Sequence, residues 1–387
     1  LTYKLAVDSW GPEEHEAALG VLRSGQVTMS TEVRNFEEEF ADKVGSAYAV
    51  MVNSGSSANL LMAWALRYAG LVEPGAPVVV PALGWSTTYF PFLQAGFELV
   101  FADVDRGTFV LGRERAQEAC AAFGANCVVG VSVLGHPWEF APEAGGATVV
   151  IEDSCEHLEL GTHHGSKHPL MRSFSTYFSH HLSTGEGGLV VTNDEGLFRL
   201  LVQLRAHGWT RDLPGPLRTP RDGGIVDFHG SFSFEVPGFN VRPTEIAGAV
   251  GRVQLRRAEK FAEARASNAT SLGRLLGDFK WLTMQRSHPQ HSWFGFGLIV
   301  GRDAPLSRDE LAKKLTRAGI ECRPVIAGNM SEQPVFKRAW PGHRVHVAGP
   351  LAMADEIHER GIMIGNHHVE MSAELEQLQR VLTEVEM

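Results

Sequence analysis

The chain alternates short, mainly apolar runs with longer stretches whose apolar residues return every three or four positions. The runs at 47–52, 77–80, 97–102, 127–134, 148–152, 171–178 and 189–192 are short and, apart from the aromatic 171–178, rich in Val, which predicts strands buried on both faces. Helices are predicted at 12–24, 31–44, 58–68 and 89–95, with Leu60, Leu61, Trp64 and Ala65 marking one face of the third. The alternation predicts an α/β fold whose mostly parallel sheet is covered on both sides.

Gly, Pro, Asp and Arg take over from 215 to 237, an irregular excursion that interrupts the pattern. A long helical stretch follows at 244–266, then strands at 292–300 and 321–326 and helices at 308–318 and 373–385. This change sets an expected boundary near Arg242. A large α/β domain is expected over 1–242, and a connector helix with a smaller α+β domain over 243–387.

Composition narrows the function classes. At 387 residues, 44% hydrophobic and 21% charged, the chain has enough apolar material for two domains. A net charge of −10 argues against nucleic acid or an acidic membrane surface as partner, since either requires a basic face. The four cysteines, Cys120, Cys127, Cys155 and Cys322, lack metal-site spacing, and no apolar run is long enough to span a bilayer. A cytoplasmic location is expected.

Three places combine chemistry with a break in the pattern. Asn53-Ser54-Gly55-Ser56-Ser57 lies between a predicted strand and helix, where amides and hydroxyls suit a phosphate, or where Ser56 or Ser57 simply caps the helix. Asp153 closes TVVIED at the carboxyl end of a buried strand, a usual ligand position in α/β proteins, or it caps a following helix. In SFSTYFSHHLSTGEGG, at 173–188, an apolar run meets two histidines, His180 and His181, and breaks at a Glu between glycines.

That last stretch resembles the cofactor loop of the sugar aminotransferases and dehydratases of fold type I, which depend on pyridoxal 5′-phosphate (PLP) and place a lysine before a Gly-Glu-Gly-Gly run. AHGWTRDLP, PGFNVRPTEI, SWFGFG, AGIECRPVIAGN and IGNHHVE extend the resemblance over nearly the whole chain. It implies PLP with its phosphate at Ser56, Ser57 and Ser175, its ring against Trp85, its ring nitrogen at Asp153 and its hydroxyl region near Glu156. It also implies a homodimer with shared active sites, in which Asn240 reaches the partner's cofactor phosphate and His207 lies near the sugar. Arg211, Arg242 and Arg323 are candidates for the diphosphate of a nucleotide-linked sugar, or for ordinary ion pairs.

The family's lysine position holds His180. Imidazole has no primary amine to bond the PLP aldehyde, yet with an ordinary pKa of about 6.5 it can still move a proton. Losing the tether while keeping the proton shuttle favours chemistry on pyridoxamine phosphate (PMP). The resemblance therefore implies 3-dehydration of a 4-keto-6-deoxyhexose, GDP-linked in the first instance, with L-glutamate as amine donor and ammonia released. A related iron–sulfur branch needs a cysteine group late in the chain, but only Cys322 lies beyond Cys155, so no cluster is expected. A conventional sugar aminotransferase and a non-catalytic PLP-binding regulator stand as alternatives.

Overall fold

The computed structural model describes residues 2–139, 149–161, 169–214, 232–338 and 340–386. Two N-terminal helices, α1 (Pro12–Ser24) and α2 (Thr31–Lys43), precede an alternation that follows the apolar runs. It comprises β1 (Tyr48–Val52), α3 (Gly55–Tyr68), β2 (Pro77–Pro81), α4 (Ser86–Gln94), β3 (Glu98–Ala102), α5 (Arg113–Phe123), β4 (Cys127–Val131), β5 (Val149–Asp153), β6 (Met171–Ser175), β7 (Gly188–Thr192) and α6 (Glu195–Arg205). The strands form one sheet in the order β1-β7-β6-β5-β4-β2-β3, extended at the β3 edge by β11 (Val345–Val347). Only β7 runs against its neighbours. Val78, Val79, Val80, Val128 and Ile151 are fully buried or nearly so, as strands covered on both faces require.

After the sheet comes α7 (Glu245–Leu276), about 48 Å long at 1.5 Å per residue. Its first half packs Ala247, Leu255 and Ala258 with Phe36 and Phe40 of α2. Its last turns pack Leu272 and Leu276 with Phe296 and Leu298, so one helix enters two cores. The second core is laid on an antiparallel sheet in the order β10-β12-β9-β8, formed by β8 (Leu282–Met284), β9 (Gly295–Val300), β10 (Cys322–Arg323) and β12 (Gly361–Gly365). The helices α8 (Arg308–Arg317), α9 (Pro334–Lys337), α10 (Ala352–Arg360) and α11 (Ser372–Glu386) complete this part. All of its strands follow Arg242, yet β11 returns to the large sheet and pairs parallel with β3.

Several elements end elsewhere than the apolar pattern predicts. The run 127–134 stops being a strand at Val131, because Leu134 takes a left-handed φ of 53° in a single tight turn, Val133–Gly135. The run 171–178 ends as a strand at Ser175, and 321–326 holds only the two residues of β10. In the other direction, α3 starts at Gly55 because Ser54 caps it, and α7 continues ten residues past 266. The predicted excursion at 215–237 falls mostly outside the described residues, as does the first residue of the run 148–152.

Candidate active site

Since β7 alone is reversed, β1, β2, β5 and β6 all point their carboxyl ends to one edge of the sheet. A cavity of about 420 Å³ lies there, closed on its far side by Phe294, Arg323 and Ile326. Asp153, the last residue of β5, is 5% exposed and held by three donors. Thr88 Oγ1 and Asn59 Nδ2 donate to its Oδ2 at 2.7 and 2.8 Å, and the Cys155 amide donates to Oδ1 at 3.1 Å. Among the described residues no helix follows Asp153 directly, and its carboxylate is taken up by side chains of α3 and α4, so the capping reading falls away.

At the start of α3 the cap is Ser54, whose Oγ accepts the Ser57 amide at 3.1 Å. Ser57 Oγ donates to Asn53 Oδ1 at 2.6 Å and does not line the cavity, whereas Ser56 does, with its Oγ 3.1 Å from Thr87 Oγ1. Ser175, at the end of β6, lines the cavity beside that turn. A Cβ at Gly55 would stand 2.7 Å from Ser175 Cβ and 2.8 Å from Cys155 Sγ, so only glycine lets the first turn of α3 close on β6. Trp85, 52% exposed just before α4, forms another wall.

The GEGG run brings the histidines in. A Cβ at Gly188 would meet the Ser54 carbonyl group at 2.5 Å, so glycine allows β7 to pass directly under the cap of α3. His180 Nδ1 lies 2.6 Å from the carbonyl oxygen of Cys155, which can only accept. Nδ1 therefore carries the proton, and Nε2 keeps its lone pair with no partner among the described residues. The rings of Phe294 and Tyr177 meet the imidazole edge-on at 5.0 and 5.9 Å. Burial pushes its pKa down to about 4, so it is neutral at pH 7. A neutral imidazole with a fixed tautomer and an open lone pair can accept a proton.

His181 turns the other way. Its Nε2 lies 3.2 Å from the Glu156 carbonyl oxygen and 3.1 Å from Ser292 Oγ, and the ring does not line the cavity. Glu156 does line it. Its Oε2 accepts the Leu134 amide at 2.9 Å, and its Oε1 lies 3.7 Å from Arg323 Nη2. Burial raises the Glu156 carboxyl pKa, and Arg323 opposes the rise. Leu134, Trp293 and Ile326, three non-glycine residues with left-handed φ of 53°, 51° and 47°, border this region. Such conformations cost about 1–3 kcal/mol each and persist where the surroundings over-determine them.

A buried carboxylate at a strand end, a serine-rich helix start and an imidazole in place of an amine form a family-level pattern. The profile of the DegT/DnrJ/EryC1/StrS aminotransferase family matches residues 8–386. The chain belongs to that family. It is similar to GDP-4-keto-6-deoxy-D-mannose 3-dehydratase of Yersinia pseudotuberculosis, with 37% identity over 390 residues that cover 99% of this chain and 98% of the relative. The solved Escherichia coli GDP-4-keto-6-deoxy-D-mannose 3-dehydratase with bound hydrated PLP superposes at a TM-score of 0.90, with 36% identity and 99% of each chain covered. A mutant GDP-4-keto-6-deoxymannose 3-dehydratase with bound GDP-perosamine matches at 0.90 and 36% identity, covering 98% of this chain and 100% of that one.

In this member of the DegT/DnrJ/EryC1/StrS family, the donor set fits a phosphorylated pyridine ring. Ser56 and Ser175 stand where a phosphate would be received, Asp153 offers a buried carboxylate for a ring nitrogen, and Trp85 offers an aromatic face. The structure gathers Ser56, Trp85, Asp153, Glu156, Ser175, His180 and Arg323 around one cavity. It does not bring the remaining expected residues there within one copy of the chain. Asn240 Oδ1 accepts from Arg242 Nε at 3.1 Å, and His207, with φ 65°, donates its amide to the Phe239 carbonyl at 2.5 Å. The Arg211 guanidinium lies 3.7 Å over the Trp209 ring and lines a different cavity, of about 710 Å³.

Reading the sequence missed Asn59, Thr88, Cys155 and Phe294. Asn59 left a faint signal as a polar residue inside the apolar stretch of α3. The Cys155 carbonyl that sets the His180 tautomer is main chain and leaves no signal at all.

Proposed function

We propose that this chain is a PLP/PMP-dependent 3-dehydratase of a GDP-linked 4-keto-6-deoxyhexose, GDP-4-keto-6-deoxy-D-mannose in the first instance, with L-glutamate as amine donor and ammonia as co-product. The carrying observation is the open Nε2 of His180 in the cavity that Asp153 anchors. The similarity to 3-dehydratases with bound PLP or a GDP-linked sugar supports the choice of cofactor and substrate.

When bound, the cofactor supplies an amine that condenses with a carbonyl and a ring that accepts an electron pair. Asp153, fixed by Thr88, Asn59 and the Cys155 amide, pairs with the ring nitrogen and keeps it protonated. Ser56 and Ser175 would receive the phosphate with the first amides of α3, while Ser57 stays bonded to Asn53, and Trp85 would cover the ring. Because His180 bears no amine, the protein holds the cofactor through these contacts alone. Nε2 of His180 takes the proton released at carbon while Nδ1 stays bonded to the Cys155 carbonyl, so the ring does not turn during transfer. Phe294 packs edge-on against the imidazole at 5.0 Å and helps to hold its plane.

The working unit in this proposal is a cytoplasmic homodimer with shared sites. Asn240, His207, Arg211 and Arg242 serve the cavity of the second copy, the first at the cofactor phosphate and the others at the nucleotide sugar. Residues 1–242 carry the cofactor site and 243–387 the connector and smaller domain. Arg323 stands beside Glu156 in the cofactor cavity and approaches the substrate from there.

The test is incubation with PLP, L-glutamate and a panel of GDP-, CDP- and dTDP-linked 4-keto-6-deoxyhexoses, reading ammonia and product mass. Ammonia with a 3-deoxy-4-keto GDP sugar is the expected result. A stable amino sugar without ammonia would make the protein an aminotransferase, and cofactor binding without turnover would make it a regulator.

A further inference from the structure

Arg265, in the middle of α7, is 4% exposed, and among the described residues no carboxylate pairs with it. Its Nη1 donates to the carbonyl oxygens of Phe294 at 3.0 Å and Asn366 at 2.5 Å, while Nε has no partner. Two carbonyls do not replace the hydration of a guanidinium, and burial pulls the pKa of Arg265 down to about 10. A neutral donor would satisfy the same carbonyls at lower cost. The charge itself calls for an explanation, and its neighbours supply one.

Through Phe294 the guanidinium is one residue from the base. The Phe294 ring lies 5.0 Å from that of His180 and 5.7 Å from that of His181, edge-on to both. His181 is tied to Ser292, whose Oγ also lies 3.0 Å from His157 Nδ1, so the wall behind His180 is hydrogen-bonded throughout. We infer that Arg265 is a positioning residue: it locks Phe294 against His180 and sets a fixed positive charge behind both imidazoles, so that neither takes up a proton before the reaction delivers one. This rests on the reading of His180 as the base.

Other groups face His180 as well. Arg323 of β10 acts in the same sense as Arg265, and Asp153 at the end of β5 acts against both. Glu156, Glu186, the Cys155 thiol and Tyr177 line the same cavity, with His181 adjacent in sequence. Arg323 and Asp153 lie in the cavity, where a ligand changes their surroundings. Arg265 lies behind the wall and keeps its charge through the cycle. For His181 it is the foremost charged influence after burial.

The test follows the His180 imidazole by NMR in the PLP-loaded protein, with the resonance assigned by its loss in His180→Asn. In the unaltered chain the ring is expected to stay neutral and Nδ1-protonated to about pH 5. Arg265→Met and Arg265→Gln should raise its titration midpoint measurably and move the acid limb of ammonia release with it. Arg265→Lys, which keeps the charge, should leave the midpoint in place. Arg265→Gln should also melt no lower than the unaltered protein, since a neutral donor replaces a buried ion at the same two carbonyls. An unmoved midpoint in the Met and Gln variants, or an equal move in the Lys variant, overturns the inference, as does failure of both neutral variants to fold. If His180→Asn turns over normally the base assignment fails instead, whatever the midpoint does.

Discussion

His180 and His181 are the same residue, adjacent, the first half-buried and the second buried, and both disfavour protonation, yet the fold places them in opposite settings. One donates Nδ1–H to a carbonyl and presents a bare Nε2 to a cavity. The other spends Nε2 on the Glu156 carbonyl and Ser292 and closes the wall. Burial therefore does not mark a catalytic histidine. What distinguishes it is an unsatisfied lone pair facing a space that a ligand can fill.

The strongest break in that comparison is His180→Asn, which keeps a polar side chain but removes the base. Turnover should fall roughly 10²–10⁴-fold while PLP still binds, measured by ammonia release and by cofactor absorbance in parallel. Near-normal turnover would transfer the role to another group. His180→Lys restores an amine at the same place, and intact-protein mass should then show covalently held PLP together with loss of dehydration. Full dehydratase activity in that variant would count against the tether argument.

Asp153→Ala removes a carboxylate held by three donors and should weaken PLP binding about 10–100-fold in equilibrium titration. A smaller effect follows at the second histidine. His181→Asn should cost about 1–2 kcal/mol in denaturant unfolding, from lost bonds to Ser292 and Glu156, and leave turnover within about tenfold. Equal kinetic damage at both histidines would erase the distinction between base and wall.

The gentlest test varies pH alone. A base works unprotonated, and lowering its pKa extends its working range toward acid. With His180 pushed down to about 4, kcat/KM should stay flat from about pH 8 to about pH 5, where an unperturbed imidazole would cut it near about 6.5. An acid limb near 6.5 would mean that another group, or a solvated His180, controls the rate.

The hydrophobic pattern was a good guide where burial on two faces dictates composition. The strands β1 to β7 each fall on one of the apolar runs, although β4 and β6 stop before the run ends, and α1 and α2 fall on predicted helices. It failed where a turn rather than burial ends an element, as at Leu134, whose left-handed φ cuts an apolar run short. It also gave no sign that β11, more than two hundred residues after β3, would extend the large sheet, because strand partners are not written in local composition.

At the site, Ser56, Trp85, Asp153, Glu156, Ser175 and His180 were legible through motif and family resemblance, and one cavity gathers them. Asn240, His207, Arg211 and Arg242 were read from the same resemblance, but a single copy places them away from His180.

The sequence alone determined the alternation of elements, the family and the replacement of an amine by an imidazole, because these depend on residue type in order. The tertiary structure decided which histidine is open, which hydroxyl caps and which faces the cavity, and which cation stands behind Phe294 without a carboxylate among the described residues. Those outcomes turn on a carbonyl 2.6 Å from one nitrogen and on side chains brought together from distant parts of the chain, as Arg265 is by α7. Hydrogen-bond direction and desolvation exist only once the chain has closed around them.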